Sequence, residues 1–502
     1  MHCLRAAVAS SIFALFLGSP SLVCAKVVDE SAEQIVARGI PYTERRIAAL
    51  ATDIANSKTF FADDYGRISI TARYDTERGV LFLDPGARFG PISDSVEVED
   101  FRQWIYFALE PIILRLPNYS QTEWTYGGRD FYSWLPQNRR SALPAKVDSK
   151  SAVEAKSSVL VGAGHGYYFN HGFKDWRPQR EPHNGILEDE ITIPLVEMLS
   201  GELLISGVAV NGVRNAALKY HEPSKQPYHM IAARYQLEEL LPDRPDIWHS
   251  KPESTHDLRE YHEDILSRPL YANYLGVSEA IHVHTNAGVP SASGTRVIVQ
   301  GGRPQDARLG KMILCYMKEH IRNLPAYSNF TVATDPHADN KGENREATMP
   351  SVIIEVAFHT NGADAEALKD FRFQSAAMIG AAKGYRLYKR GEDCSEFAIS
   401  APEKSEGVAG SNVSFPIAFE GNPDFPVVIE VEEKCDGPYC HRKSDVFYSK
   451  EDFSGYEHSF LCRKAPADRP VVPLVAKARD YKGVETKAIV HTVLCASPPA
   501  AM

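Results

Sequence analysis

The sequence predicts an α/β protein: a mostly parallel sheet with helices on both faces, preceded by an α+β region and followed by a small β-sandwich. Three observations predict this. Between residues 151 and 392, short apolar runs alternate with longer helical-period stretches, the pattern of a parallel sheet wrapped by helices. From residue 393 to 502, short alternating runs such as Val413-Ser414-Phe415-Pro416-Ile417 are separated by turn residues. The 502 residues exceed one ordinary domain.

Taken in order, residues 1–25 read as an export signal. Arg5 starts it, residues 6–17 are apolar, and Val23-Cys24-Ala25 offers small residues before a cut at Lys26. The apolar part is too short to span a bilayer, and Val23 fits a lipid-anchor site at Cys24 poorly. No later stretch is long and apolar enough for a membrane helix. The mature chain is therefore expected outside the cytoplasm, periplasmic or extracellular, with no integral membrane segment.

Residues 26–150 form an α+β region of unknown role. A helix is predicted over 45–56, a hairpin from strands 68–72 and 80–83, and a helix over 100–116 ended by Pro117. Tyr126, Phe131, Tyr132 and Trp134 read as local core in preference to a glycan grip. Residues 141–157, small and charged, read as a linker. The central domain should place strands at 158–162, within 202–211, and at 280–284, 294–300 and 352–358. Helices should cover 189–199 and 305–322 and part of 363–386.

Composition is that of a globular protein, 44% hydrophobic and 24% charged, and the net charge of −10 disfavours nucleic acid as a partner. Without Cys3 and Cys24, six of the eight cysteines remain, five of them in the last hundred or so residues. That predicts an oxidising compartment and a disulfide-stapled C-terminal domain. Cys435 and Cys440 lack the second pair that zinc would need, so a disulfide is expected. Cys315, in a helical pattern, reads as a buried free thiol.

The chemistry gathers at strand ends. Val159-Leu160-Val161-Gly162-Ala163-Gly164-His165-Gly166 is a buried strand that stops at small residues and presents an imidazole at its carboxyl end. Glu188 opens the next helix. His284 ends the strand 280–284. Glu355 stands out in the apolar run Val352-Ile353-Ile354-Glu355-Val356-Ala357-Phe358, and a buried acid must be paired, metal-bound or neutral. Two imidazoles and a carboxylate are a standard catalytic zinc set, and a further carboxylate can carry the proton. The spacing contains no His-Glu-x-x-His, and no His-x-x-Glu begins at His165.

Six blocks, in order, resemble the zinc-dependent N-acetylmuramoyl-L-alanine amidases that cleave bacterial peptidoglycan. They are Val161 to Gly166; Gly185-Ile186-Leu187-Glu188; Val210 to Arg214; Arg268 and Ala272-Asn273 with Ile281 to Ala287; Gly294-Thr295; and Pro350 to Asn361. The resemblance covers about residues 157–390. It implies that His165, Glu188 and His284 bind Zn2+ and that Glu355 is the general base and then acid.

Departures from the family pattern are visible. His282 stands where the family has a small residue, on the same strand face as His284, so it competes as a ligand; block alignment favours His284. His171 and His183 lie in a polar loop and read as solvated. Asp189 and Glu190 suit a helix's first turn. An ion pair with Arg268 is the structural alternative for Glu355, and Arg214 and Arg268 themselves read as structural. The inhibitory helix that some division-associated members of the family carry has no counterpart after residues 294–300; the extra length lies at 215–266 and is expected to shape or lid the cleft. The sequence thus predicts an exported zinc hydrolase acting on peptidoglycan. The alternatives are another zinc peptidase on the same scaffold and a non-catalytic wall-binding regulator. No activator protein is identified by the sequence.

Overall fold

A computed structural model describes residues 30–57, 61, 65–139, 158–214, 217, 219–435, 440–463 and 471–496. The export signal and the linker predicted from the sequence lie outside the described residues.

The first region packs α1 (Ala32–Ala37), α2 (Ile40–Ala55), the hairpin β1 (Thr71–Asp75) and β2 (Val80–Asp84), α3 (Val96–Ile113), β3 (Gln121–Trp124) and the short α4 (Phe131–Trp134) around one core. α2 begins five residues before its expected start, with Pro41 in its first turn, where the missing N–H costs nothing. α3 begins earlier too. Ser95 caps it by accepting the Val98 N–H, with Glu97 and Glu99 at the positive end. Val98, Phe101, Ile105, Leu109 and Ile112 of α3 enter the core. Tyr126 and Phe131 are buried too, as expected of core aromatics.

The central region follows as β4 (Ser158–Ala163), the small hairpin β5 (Tyr168–Asn170) and β6 (Asp175–Arg177), α5 (Glu188–Ile205) and β7 (Ala209–Val213). Then come β8 (Tyr220–His221), β9 (Gln226–Pro227), α6 (Ala233–Leu240), α7 (Pro245–Trp248) and α8 (Arg259–Leu275). The remainder is β10 (Glu279–Asn286), β11 (Arg296–Val299), α9 (Pro304–Asn323), β12 (His337–Ala338), α10 (Gly342–Arg345), β13 (Ser351–Phe358), α11 (Gly362–Lys369) and α12 (Phe371–Lys389). The strand expected within 202–211 starts late, because Leu203, Leu204 and Ile205 extend α5 instead.

Six strands form one sheet in the order β12-β11-β13-β10-β4-β7. β7, β4, β10 and β13 are parallel, and β11 runs antiparallel to β13. All eight residues of β10 and of β13 are buried, as expected for central parallel strands. Alternation divides each strand. Val159, Val161, Ile281, Val283, Val352 and Ile354 face α5, α9 and α12. Leu160 and Ala280 face the opposite side, against Tyr271 and Ala272 of α8. His282 and His284 share that second face.

The C-terminal region has its own core. A five-stranded sheet orders β15 (Lys404–Val408), β22 (Ile489–Ala496), β21 (Val471–Arg479), β18 (Val427–Glu433) and β19 (Arg442–Phe447). β14 (Ala398–Ser400) pairs with β17 (Ala418–Glu420), β16 (Asn412–Pro416) pairs with β20 (Glu457–Leu461), and α13 (Lys450–Phe453) is the one helix among the described residues there. It docks on α9 and α12, away from the histidine face: Lys383 of α12 reaches Glu319 and Asp480, and Arg386 binds Asp424.

Cys435–Cys440 and Cys462–Cys495 are disulfides of this region. Cys315 is not a free thiol: it bonds Cys394, 79 residues on, and ties α9 to the start of the C-terminal region. Helical period hides such a partner. The even count of six was the signal that no thiol is left over. No helix among the described residues is long and apolar enough to cross a membrane.

Candidate metal centre

β4 ends in Gly164-His165-Gly166. A Cβ on Gly164 would lie 2.3 to 2.6 Å from His284 ring atoms, so only glycine lets the two imidazoles approach. His165 takes a left-handed φ of 59° and Gly166 a φ of 134°, which turns the chain sharply behind the imidazole. The buried Asp189 holds this turn by accepting the N–H groups of Gly166, Gln179 and Arg180 at 2.7 to 3.0 Å. Asp189 is thus a staple for the loop, beyond the helix-end role its position suggested.

His165, Glu188 and His284 come together. Their ligand atoms all lie within 4.8 Å of one another, and all three residues are buried. Glu188 Oε1 is 3.5 Å from His165 Nε2 and 3.2 Å from His284 Nδ1. Gln179 Oε1 lies 2.9 Å from His165 Nδ1. An amide oxygen only accepts, so Nδ1 carries the proton and Nε2 keeps its lone pair. Burial and the nearby Arg180 hold this imidazole well below its usual pKa, hence neutral. On His284, the Glu343 carboxylate faces Nε2 at 2.9 Å, which places a proton on Nε2. Burial opposes charge on His284, but Glu343 and Glu188 outweigh it and push the imidazole up to about 10. Without metal, a proton therefore sits between His284 Nδ1 and Glu188. A metal ion displaces such a proton on binding.

The arrangement is two imidazole nitrogens and one carboxylate oxygen converging. Apart from that proton, the donors that reach them are the Thr285 N–H, 2.9 Å from Glu188 Oε1, and the guanidinium of Arg180. A convergent acceptor set of this kind fits a divalent cation with an open coordination position.

Glu355 lies directly opposite His284 in the β10–β13 pairing and opposite Arg296 in the β13–β11 pairing. Arg296 turns away to Glu110 of α3, and Arg268 binds Asp264 and Glu343, so neither arginine pairs with Glu355. Its Oε2 is buried without a hydrogen-bond partner. Burial, with Glu188 adding, pushes its pKa up to about 7. That is the range of a group able to take and return a proton at neutral pH.

His282 is fully buried, 3.5 Å from the same Glu343 that faces His284, and stands outside the three-residue cluster. His171 pairs with Glu260, and His183 stacks on His359. Arg214 donates to the carbonyls of Gly164, Asp189 and His229, bracing the His165 turn. Residues 230–232 of the extra segment hydrogen-bond Tyr167, and Tyr261 sets its ring edge-on to His165, so this segment buttresses the loop from behind.

Three contributors were missed in the sequence. Arg180 donates from Nε to His165 Nε2 at 3.2 Å and lies 3.4 Å from Glu188. Asp100 of α3 grips that guanidinium at 2.5 and 3.0 Å. Glu343, in a stretch that reads as polar loop, is buried against His284. α3 closes over the site with Val96, Glu99, Asp100 and Gln103, leaving a cavity of about 30 Å³ shared by His165, His284, Arg180, Glu343 and Glu355.

A second His2Glu group, Glu97, His256 and His262, also exists among the described residues. It is more exposed, and His256 Nδ1 already accepts the Leu258 N–H, which puts the neutral ring's proton on the nitrogen facing Glu97. The first group is buried throughout, so it is the better cation site.

The sequence profile described as N-acetylmuramoyl-L-alanine amidase matches residues 159–386. This domain belongs to the N-acetylmuramoyl-L-alanine amidase family. It is an amidase by that membership, and the six blocks lie within or at the edges of the match. A comparison with curated proteins gives no match. Among solved structures, the CwlD amidase of Clostridioides difficile in complex with the GerS lipoprotein is 16% identical, covering 47% of this chain and 100% of that one, with a TM-score of 0.33. AmiC2 of Nostoc punctiforme is 14% identical over 47% of this chain and 99% of its own, TM-score 0.33. The catalytic domain of CwlV from Bacillus (Paenibacillus) polymyxa is 19% identical over 47% and 98%, TM-score 0.29.

Proposed function

We propose that the chain is an exported zinc hydrolase that cleaves the amide between the lactyl group of N-acetylmuramic acid and L-alanine in bacterial peptidoglycan, during wall remodelling or recycling. The observation that carries this is the convergence of His165, Glu188 and His284, one ligand atom from each within 4.8 Å of the others, inside the matched amidase domain. A zinc ion bound by these atoms supplies Lewis-acid polarisation of the amide carbonyl and activation of water.

The chain's own residues do the rest. Glu355 takes the proton of the attacking water and delivers it to the leaving amine nitrogen of L-alanine. Its raised pKa suits both halves of that transfer. Gln179 and Asp189 hold the His165 loop. Three disulfides agree with an exported protein.

The test is mass analysis of products from purified peptidoglycan. The proposal predicts free stem peptides beginning with L-alanine and glycan bearing intact lactyl groups. Cuts within the peptide would assign another zinc peptidase. Binding to wall material without hydrolysis, by wild type and Glu355→Gln alike, would assign a wall-binding regulator.

A further inference from the structure

Two chains of contacts, one from each histidine of the site, meet at one buried acid on α8. Asp264 is fully buried, and its Oδ2 accepts two bonds that lead in different directions. One comes from Gln179 Nε2 at 3.0 Å, and the same amide's oxygen meets His165 Nδ1 at 2.9 Å. The other comes from Arg268 NH1 at 2.6 Å. Arg268, also fully buried, binds Glu343 through its Nε, and Glu343 Oε2 faces His284 Nε2 at 2.9 Å. Oδ1 of Asp264 is occupied by the Arg234 N–H at 3.1 Å, so the carboxylate cannot turn.

We propose that Asp264 is the common positioning residue of the metal centre, fixing His165 through Gln179 and His284 through Arg268 and Glu343, so that only Nε2 of the first and Nδ1 of the second are offered to the metal. This rests on the zinc reading above and deepens it.

The physical case is electrostatic and geometric. A metal takes whichever imidazole nitrogen lacks a proton, and the partner at the other nitrogen decides which that is. Here both partners are oxygens, and both trace to one side chain. Buried carboxylates facing imidazoles need a counter-charge. The Arg268 guanidinium, held between Asp264 and Glu343, supplies it. α8 lies on the sheet face that carries His284, which is why a helix one layer away can set both ligands. Neither Asp264 nor Glu343 falls in the blocks that resemble the family.

The experiment measures zinc affinity by competition with a chromogenic chelator, for wild type, Glu343→Gln, Gln179→Ala and Asp264→Asn. Glu343→Gln and Gln179→Ala should each weaken binding by about 10–100-fold, and Asp264→Asn by more than either. Melting of the metal-free proteins reports whether each variant folds. Should Asp264→Asn fail to fold, wild type decides alone: 15N-histidine NMR of the zinc-loaded chain should show metal on His165 Nε2 and His284 Nδ1, with protons on the opposite nitrogens. Variants that fold and bind zinc within twofold of wild type, or metal on the opposite nitrogens, overturn the proposal and leave the zinc reading intact. Wild type that binds no zinc removes the zinc reading, and this inference with it.

Discussion

Replacing Glu355 by glutamine should weaken catalysis and strengthen the fold. The carboxyl is buried on β13, with one oxygen unpartnered. Burial, helped by Glu188, lifts its pKa from 4.5 to about 7. An acid raised in the folded state binds more protons folded than unfolded. Stability therefore falls as pH rises from about 4.5 to about 7, and the whole loss is present above that window. At about 1.4 kcal/mol per pKa unit, the span corresponds to about 3 kcal/mol. Glutamine has the same shape and cannot ionise. Metal-free Glu355→Gln should thus be more stable than wild type by about 1–3 kcal/mol near pH 8 and equal to it near pH 4. Its hydrolysis rate should fall about 10²–10⁴-fold. The assays are urea unfolding of the metal-free full chain at both pH values and product release from peptidoglycan. A variant less stable than wild type near pH 8 would refute the reasoning, because the carboxylate would then be holding the fold through an ion pair.

Other perturbations follow from the same geometry. Gly164→Ala drives a methyl to 2.3 to 2.6 Å from the His284 ring, and displacing that proposed ligand should cut hydrolysis on the order of 100-fold, seen in kcat/KM. Chelation should abolish hydrolysis and added zinc restore it; bound zinc at 1,000 times its Kd should add about 4 kcal/mol to unfolding stability, read by calorimetry. Joint replacement of Cys315 and Cys394 by serine opens a 79-residue loop and should cost up to about 4 kcal/mol, read as a lower melting temperature. Hydrolysis by wild type should decline as pH drops through or below about 7, because Glu355, the proposed base, protonates there, and this limb should vanish in Glu355→Gln.

What the sequence could reveal was whatever sits on regular, buried strands. His165, His284 and Glu355 stand out because β4, β10 and β13 are apolar runs in which a polar residue is conspicuous. Glu188 is legible as the residue that opens α5. Arg180 and Glu343 lie in stretches rich in charge and turn residues, where one more charge carries no signal. Packing against α3 and α8 buries Glu343 and half-buries Arg180, which local pattern does not encode. Asp100 looks like any acid in a first helical turn, and it matters only because the N-terminal region lies across the sheet's histidine face. The strand expected within 202–211 begins only at Ala209 for a related reason: Leu203 to Ile205 are apolar enough for a strand, but α5 continues through them. Cys315 misled because a helix face says nothing about a partner 79 residues away.

The most direct test is anomalous diffraction at the zinc edge from crystals of the zinc-loaded chain. One strong peak is expected about 2.0–2.2 Å from His165 Nε2, Glu188 Oε1 and His284 Nδ1, with Glu355 beside it and unbound. A peak at Glu97, His256 and His262 with none at this centre, or a zinc ligated by Glu355, would contradict it.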